Sequence, residues 1–438
     1  MDIRVVQDGS RVTADDHPHI GPIATMCPKT LRHDSGGATV AFTGIALVGD
    51  TMVISLPKGQ DISSVTASPE RFRGTVLLLM RSMVKYKAEN PLMAAKDAAM
   101  DGNLGSQKIY YALKILDDYV SNGLVSRFRT VTAVASGGNV NWQKTVSRSS
   151  PLHSSSGVLY QNPYVRMRVV DSRDTLRLIQ AHVVKECVKT FGWLFAIEDA
   201  TELQNAALNW SENELLAALA REKTSTFSQR ELILIDLLTA YLSDRSSDRG
   251  DQQVALFGSL DFENIWERAC QVAFNHDPTL YSSLVPQPVW HVACELANAP
   301  SRTDPSQRPD ILTICDSVLL VLDAKYYKAK IALPGWHDIV KQIYYQDTIE
   351  RRLNHDEPLR DRYGIAATAN AFLLPGDAFG LARGFGHVNI PELDDGNRWG
   401  YVDAYIVDVT ACLEAYVKNS PRWDWIGPIG VNRRLLKR

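Results

Sequence analysis

At 438 residues and 48.7 kDa the chain is too long for one ordinary core, so two or three domains are expected. Hydrophobic content of 45% with 22% charged residues is that of a soluble globular protein, and a net charge of −3 is no global sign of a nucleic-acid binder, so any DNA contact must come from local basic patches. The scattered cysteines (Cys27, Cys187, Cys270, Cys294, Cys315, Cys412) form no Cys-x-x-Cys pair and no apolar run is long enough to span a membrane, which argues against zinc, a disulfide framework and a membrane protein, and for a reducing cytoplasm.

The chain opens on Met1-Asp2-Ile3-Arg4, which is not a signal-peptide start. Residues 1–60 read as β-rich, with strands at Ala38–Leu47 and Met52–Leu56 joined around Gly49-Asp50. Pro69 opens a long helix with Val76, Leu79, Met80 and Met83 on its apolar face. A second helix, Gln107 to Val120, is stopped by Asn122-Gly123. Phe128 to Ala135, the turn Ser136-Gly137-Gly138-Asn139 and a strand through Trp142 predict a twisted hairpin. Helices followed by such a hairpin fit a winged-helix-like reader of DNA, and equally an ordinary α+β module. Arg127, Arg129, Lys144 and Arg148 supply basic charge there, as a solvated edge strand also does. Ser147–Gly157 reads as a loop and Tyr160–Val170 as a strand. From Thr175 to Leu242 the pattern is helical, with Leu176, Ile179, Val183 and Val184 on one face. The polar run Ser243–Asp251 is the clearest linker.

Beyond the linker, Asp261–Phe274 is an amphipathic helix with Phe262, Trp266, Ala269, Cys270 and Ala273 facing inward and Glu263 and Glu267 one turn apart. Pro286 to Trp290 is an extended approach, followed by a polar loop to Arg308. Ile311–Cys315 and Val318–Leu322 are short, apolar and rich in β-branched residues and leucine, and Asp316-Ser317 makes a tight turn between them. If Cys315 faces Val318, Asp310 falls opposite Asp323, with Cβ atoms about 4.5–5.5 Å apart. Lys325, two residues beyond Asp323, points to the same side. Opposed carboxylates repel, so the arrangement invites a cation. Hard oxygen ligands suit Mg²⁺, with Mn²⁺ as a substitute. Such an ion activates water and stabilises charge on phosphorus, while a lysine orients or deprotonates that water. The set predicts metal-dependent phosphodiester hydrolysis, against the plainer alternative of a buried β-hairpin, since Asp-x-Lys alone is common.

After Pro334-Gly335 a helix begins near Trp336, with Asp338, Lys341, Gln342 and Tyr345 in one polar-aromatic stripe, and strands follow at Ala371–Leu374 and Tyr401–Val409. There is no P-loop and no His-Glu-x-x-His, and His291 and His337 read as structural or solvated. The expected organisation is multidomain α+β: an N-terminal α+β domain over 1–170 that binds DNA or a partner, a helical connector over 171–250, a C-terminal α/β domain over 251–420 with a mixed central sheet, and a basic tail over 421–438.

Pro309-Asp310 with Asp323-Ala324-Lys325 resembles the PD-(D/E)XK nuclease superfamily. FENIWE at 262–267, Pro288-Val289-Trp290, DAKYY at 323–327, KQIYYQ at 341–346 and NAFLLP at 370–375 narrow the resemblance to the LlaJI-type restriction endonucleases. These are relatives of McrC, the nuclease subunit that works beside a GTP-driven AAA+ ring. FTGIALVGD at 42–50, SLPKG at 55–59 and GNVNWQKTV at 138–146 are similar to blocks of that family, so the likeness runs from about residue 40 to 410. The resemblance implies a PD-(D/E)XK nuclease domain with metal ligation by Asp310, Asp323 and Glu267 and water activation by Lys325. It also implies that Gln342 supports the lysine or the scissile phosphate, while Tyr345 reads as a packing partner. The implied partners are double-stranded DNA and an AAA+ McrB-like GTPase or ATPase, and a homodimer would supply the two sites that a double-strand break needs. The alternatives are a non-catalytic adaptor of an AAA+ motor, and a PD-(D/E)XK nuclease of another defence or repair pathway.

Overall fold

A computed structural model describes residues 2–13, 18–34, 37–91, 106–135, 137–155, 157–171, 173–197, 203, 208–243, 254–286, 308–393 and 401–436. The chain divides into two units, Met1–Ser106 with Gly250–Arg438, and Gln107–Arg249. The boundary between Arg249 and Gly250 lies beside the division expected at 250, whereas the one expected at 170 falls inside the second unit, and residues 1–106 join the C-terminal region.

The reason is strand pairing. In the first unit β1 (Asp2–Gln7), β2 (Thr43–Val48) and β3 (Thr51–Leu56) lie in one sheet, with β1 parallel to β3 and β2 antiparallel to it. The expected strand at Ala38–Leu47 is two strands, Gly37–Val40 and β2, and the first joins a separate small sheet. α1 (Pro69–Glu89) is N-capped by the Ser68 hydroxyl, which accepts from Arg71 N–H, and buries Val76, Leu79, Met80 and Met83 as its periodicity predicts.

The second unit holds α2 (Ser106–Asn122), β4 (Phe128–Val134), β5 (Asn139–Val140), α3 (Trp142–Arg148), β6 (Tyr164–Val170), α4 (Thr175–Phe191), α5 (Glu212–Ser225) and α6 (Gln229–Ser243). Here the predicted hairpin is corrected. β4 and β5 do not pair with each other; both pair antiparallel with β6, which lies between them. The strand expected through Trp142 is helix α3, because the Asn141 side chain accepts from Lys144 N–H and starts a helix at that point. The expected loop at 147–157 carries a small antiparallel pair, Leu152–Ser154 with Gly157–Leu159. Arg127, expected as basic surface, is instead an internal tie, with its guanidinium 2.6 Å from Glu222, 2.5 Å from Glu231 and 3.2 Å from Asp174.

Back in the first unit, β7 (Val254–Ser259) adds to β2 antiparallel and closes the sheet β1-β3-β2-β7. α7 (Phe262–Ala273) buries Phe262, Trp266, Ala269, Cys270 and Ala273, the inward face its sequence predicts. A five-stranded mixed sheet follows, built from β8 (Ile311–Cys315), β9 (Val318–Ala324), β10 (Ala367–Gly376), β11 (Ala382–Val388) and β12 (Val402–Asp408) in the order β8-β9-β10-β12-β11. β9, β10 and β12 are parallel, and β8 and β11 are the antiparallel edges. α8 (Trp336–His355) supplies the crossover from β9 to β10, and its Tyr345, Ile349 and Leu353 pack with Leu319 and Val321 of β9. α9 (Val409–Lys418) follows β12. The stretch expected as a basic tail forms α10 (Trp423–Leu436), which buries Trp425, Ile426 and Ile429, because its aromatic and aliphatic positions outweigh its charge. Pro288-Val289-Trp290, His291 and the linker beyond Ser243 lie outside the described residues.

Candidate functional site

The site is built on the β8–β9 hairpin. Cys315 pairs with Val318 and Ile311 with Leu322, the register the sequence predicts. Asp316 and Ser317 both take positive φ, 48° and 64°, as a two-residue turn of type I′ requires. Asp310 therefore stands just before β8, alongside the acidic end of β9. Its Oδ2 accepts from Ala324 N–H at 2.8 Å, and its carbonyl accepts from Gln271 Nε2 at 3.2 Å. These bonds aim the carboxyl at the last turn of the acidic strand.

Asp323 and Lys325 are brought together directly. Lys325 Nζ lies 2.8 Å from Asp323 Oδ2 and 3.1 Å from Asp338 Oδ1. Only 4% of the Asp323 side chain and 17% of the Lys325 side chain is exposed. Burial works to lower the Lys325 pKa, but the Asp323 and Asp338 carboxylates outweigh it and hold the ammonium above the ordinary lysine range. Asp323 Oδ2 is buried and accepts no aligned hydrogen bond; the ammonium meets it at ion-pair distance but off the hydrogen-bonding direction.

Glu267, on α7, faces the same charges. Its carboxyl is pushed up first by burial, then by Asp323, while Lys325 and Lys341 pull it down. Its Oε1 accepts from Gln271 Nε2 at 3.3 Å. Asp310 is pushed up to about 8, first by burial and then by Asp323 and Glu267, against the Ala324 N–H. Asp323 thus opposes the ionisation of both Asp310 and Glu267, and Glu267 adds to its effect on Asp310. Such a donor set suits a hard divalent cation, which takes one or two carboxylates and keeps several waters. Among the described residues no three His, Cys, Asp or Glu side chains converge into a preformed cage. Asp310, Asp323 and Glu267 are the donors that suit a site of that water-rich kind.

Gln342 has other partners. Its Nε2 donates to the Val321 carbonyl at 3.0 Å and to Asn370 Oδ1 at 2.7 Å, and Asn370 Nδ2 returns a bond to the Gln342 carbonyl at 3.1 Å. The side chain is buried and ties α8 to β9 and β10, with no bond to Lys325. Tyr345 is also buried, in the packing role the sequence suggests.

Asp338 is the residue that sequence reasoning missed as a site member, although it lay in the polar stripe of α8. Its Oδ2 accepts from Tyr327 OH and from Gly335 N–H, both at 3.3 Å, so it starts α8 and holds Lys325 at once. Its contact with Lys325 joins the start of α8 to the end of β9, a pairing that spacing along one helix does not reveal.

The SLPKG block has a physical role behind the strand. Lys58 N–H donates to Tyr326 OH at 2.8 Å, and Tyr326 packs on Phe262 with ring centroids 5.3 Å apart. Gly59 has φ +84°, and a Cβ there would stand 2.3 Å from the Pro375 carbonyl oxygen, so only glycine fits. The residue after Lys325 is thereby clamped by the N-terminal segment.

The solved structures that resemble this chain include one of Thermococcus gammatolerans McrB AAA+ hexamers with bound McrC, refined as a half-complex of a tetradecameric assembly. The match is 13% identical, covers 95% of this chain and 99% of that one, and has a TM-score of 0.39. A second is the McrBC complex of the same organism, 12% identical over 65% of this chain and 89% of that one, with a TM-score of 0.27. No curated protein matches. The sequence model described as LlaJI restriction endonuclease matches residues 42–406, which includes the β8–β9 hairpin, α7, α8 and every site residue above. The chain belongs to the LlaJI restriction endonuclease family.

Proposed function

We propose that this protein is a metal-dependent DNA endonuclease of the PD-(D/E)XK type, the cleaving subunit of an anti-phage restriction system that works with an AAA+ GTPase or ATPase. Its family membership supports a restriction nuclease. The observation that carries the chemistry is the Lys325 ammonium held 2.8 Å from Asp323 in a buried cluster that also includes Asp310 and Glu267. A scaffold has no physical reason to keep Asp323 beside two carboxyls, Asp310 and Glu267, whose ionisation it opposes.

Asp310, Asp323 and Glu267 would hold Mg²⁺ or Mn²⁺, which supplies Lewis-acid stabilisation of a phosphoryl oxygen and a more acidic water. The chain's own groups do the rest. With its proton held on by two carboxylates, Lys325 is an ammonium in the free protein. It is suited to donating to a phosphate oxygen or orienting the attacking water, with Asp338 fixing where the ammonium stands. Gln342 acts in this proposal through the frame, by keeping α8 against β9. Duplex DNA is the substrate, and the cell interior the expected compartment; no helix among the described residues is long and apolar enough to cross a membrane.

The test is plasmid cleavage with Mg²⁺ by wild type, Asp323→Ala and Lys325→Ala, alone and with the ATPase or GTPase encoded beside the gene. Metal-dependent cutting by wild type that both variants lose is the expected result. If wild type cuts nothing in either setting while it raises the partner's nucleotide hydrolysis, the chain is an adaptor and not the nuclease.

A further inference from the structure

Between Lys325 and Asp338, whose side chains meet, the chain makes an excursion that presents unusual residues to solvent. Ile331 is 71% exposed, Leu333 56% and Trp336 68%. Such side chains cluster on a surface when they meet something. The excursion is held firmly in shape. Ile331 N–H and Ala332 N–H both donate to the Lys328 carbonyl, at 2.7 and 3.0 Å. Tyr327 OH bonds Asp338, and Pro334 stiffens the approach to α8.

Its charge is one-sided in a chain of net charge −3. From Lys325 to Gln346 the formal charges are Lys325, Lys328, Lys330, Lys341 and a single acid, Asp338, which already faces Lys325. Lys330 and Lys341 are exposed. Apolar tips flanked by lysines, joined at both ends to a phosphodiester-cleaving site, match the wedges with which proteins enter duplex DNA between phosphates.

We propose that residues 328–336 are a DNA wedge: Ile331, Leu333 and Trp336 press into the base stack beside the scissile phosphate, while Lys330 and Lys341 take flanking phosphates. The proposal rests on the nuclease reading for its substrate, duplex DNA, but its readout needs no cleavage.

The full chain is mixed, in EDTA, with a duplex carrying 2-aminopurine, and fluorescence and binding are followed for wild type and for Ile331→Ser/Leu333→Ser/Trp336→Ser. These positions are exposed, and thermal melting checks that the variant folds. Wild type is expected to raise the 2-aminopurine signal. The triple variant is expected to bind at least about tenfold more weakly and leave the base stacked, as loss of one base–aromatic contact alone would predict. Trp336→Phe should keep most of the signal that Trp336→Ser loses. Lys330→Gln should reduce the salt slope of binding by about one.

The wedge is overturned if the triple variant binds and unstacks DNA like wild type, if wild type binds no duplex, or if the substitutions change only self-association in sedimentation, which would assign the surface to a protein. Wild type that unstacks DNA but never cuts it with Mg²⁺ upholds the wedge and sinks the nuclease reading. Cutting that the triple variant performs with unchanged KM sinks the wedge and leaves the nuclease.

Discussion

Replacing Asp310 by Asn tests whether the three carboxyls form a cation site kept against their own repulsion. Burial, then Asp323 and Glu267, push the Asp310 carboxyl from 3.8 up to about 8. From about pH 4 upward the unfolded chain sheds this proton while the folded chain keeps it. Stability is therefore fullest below the unfolded value and is lost progressively until the folded carboxyl ionises near pH 8. At about 1.36 kcal/mol per pH unit the ceiling of that loss is about 6 kcal/mol. Relaxation and water entry reduce it, so about 1–3 kcal/mol is expected. Asn keeps an oxygen for the Ala324 N–H and carries no titrating proton. Asp310→Asn should be more stable than wild type by about 1–3 kcal/mol at pH 8, with a clearly smaller gain at pH 5. Hydrogen–deuterium exchange of amides 311–324 measures this locally, which matters in a chain of two units that need not unfold together. Mg²⁺ should protect the wild-type hairpin at pH 8 more than the variant's, and the variant should lose cleavage. A variant no better protected than wild type at pH 8 would refute the reasoning.

Asp338→Asn removes one of the two carboxylates on Lys325, a charge-assisted contact worth about 1.5–3 kcal/mol; turnover should fall at least about tenfold with KM little changed, and Asp338→Glu should recover part of it. Arg127→Ala strands Asp174, Glu222 and Glu231 in the other unit; because the guanidinium is partly exposed, a loss of about 2 kcal/mol is expected in that unit's thermal transition, while single-turnover cutting keeps its rate. Gly59→Ala forces a Cβ against the Pro375 carbonyl at a positive φ and should destabilise the first unit by at least about 3 kcal/mol, read as lost exchange protection in residues 51–56 and 367–376.

Much of the site was legible because its geometry is local. Alternation along a strand and a two-residue turn determine which side chains share a face, so Asp310, Asp323 and Lys325 could be placed from their spacing, and the hairpin has that register. The inward faces of α1 and α7 were legible for the same reason, since a period of 3.6 needs no knowledge of what the helix packs against. By contrast, the sequence around Trp142 favours a strand, because the Asn141 cap competes with extension only by a side-chain bond, a weak signal beside the glycine turn.

What spacing cannot carry is the choice of partner between distant segments. Whether Gln342 meets Lys325 or Asn370 depends on how α8 rotates onto β9 and β10, and the structure ties it to Asn370 and the Val321 carbonyl. Asp338 gained its place at the lysine from the same rotation. The N-terminal strands joined the C-terminal unit because β7 completes their sheet and Gly59 lets the loop reach Pro375, a closure that many residues of intervening chain conceal. The amino-acid sequence alone determined the register of the hairpin and which of its side chains share a face, because neighbours along a strand are neighbours in space. Only the tertiary structure decided which carboxylates hold the lysine and which unit the hairpin belongs to, because those contacts depend on packing between segments that are far apart in the chain.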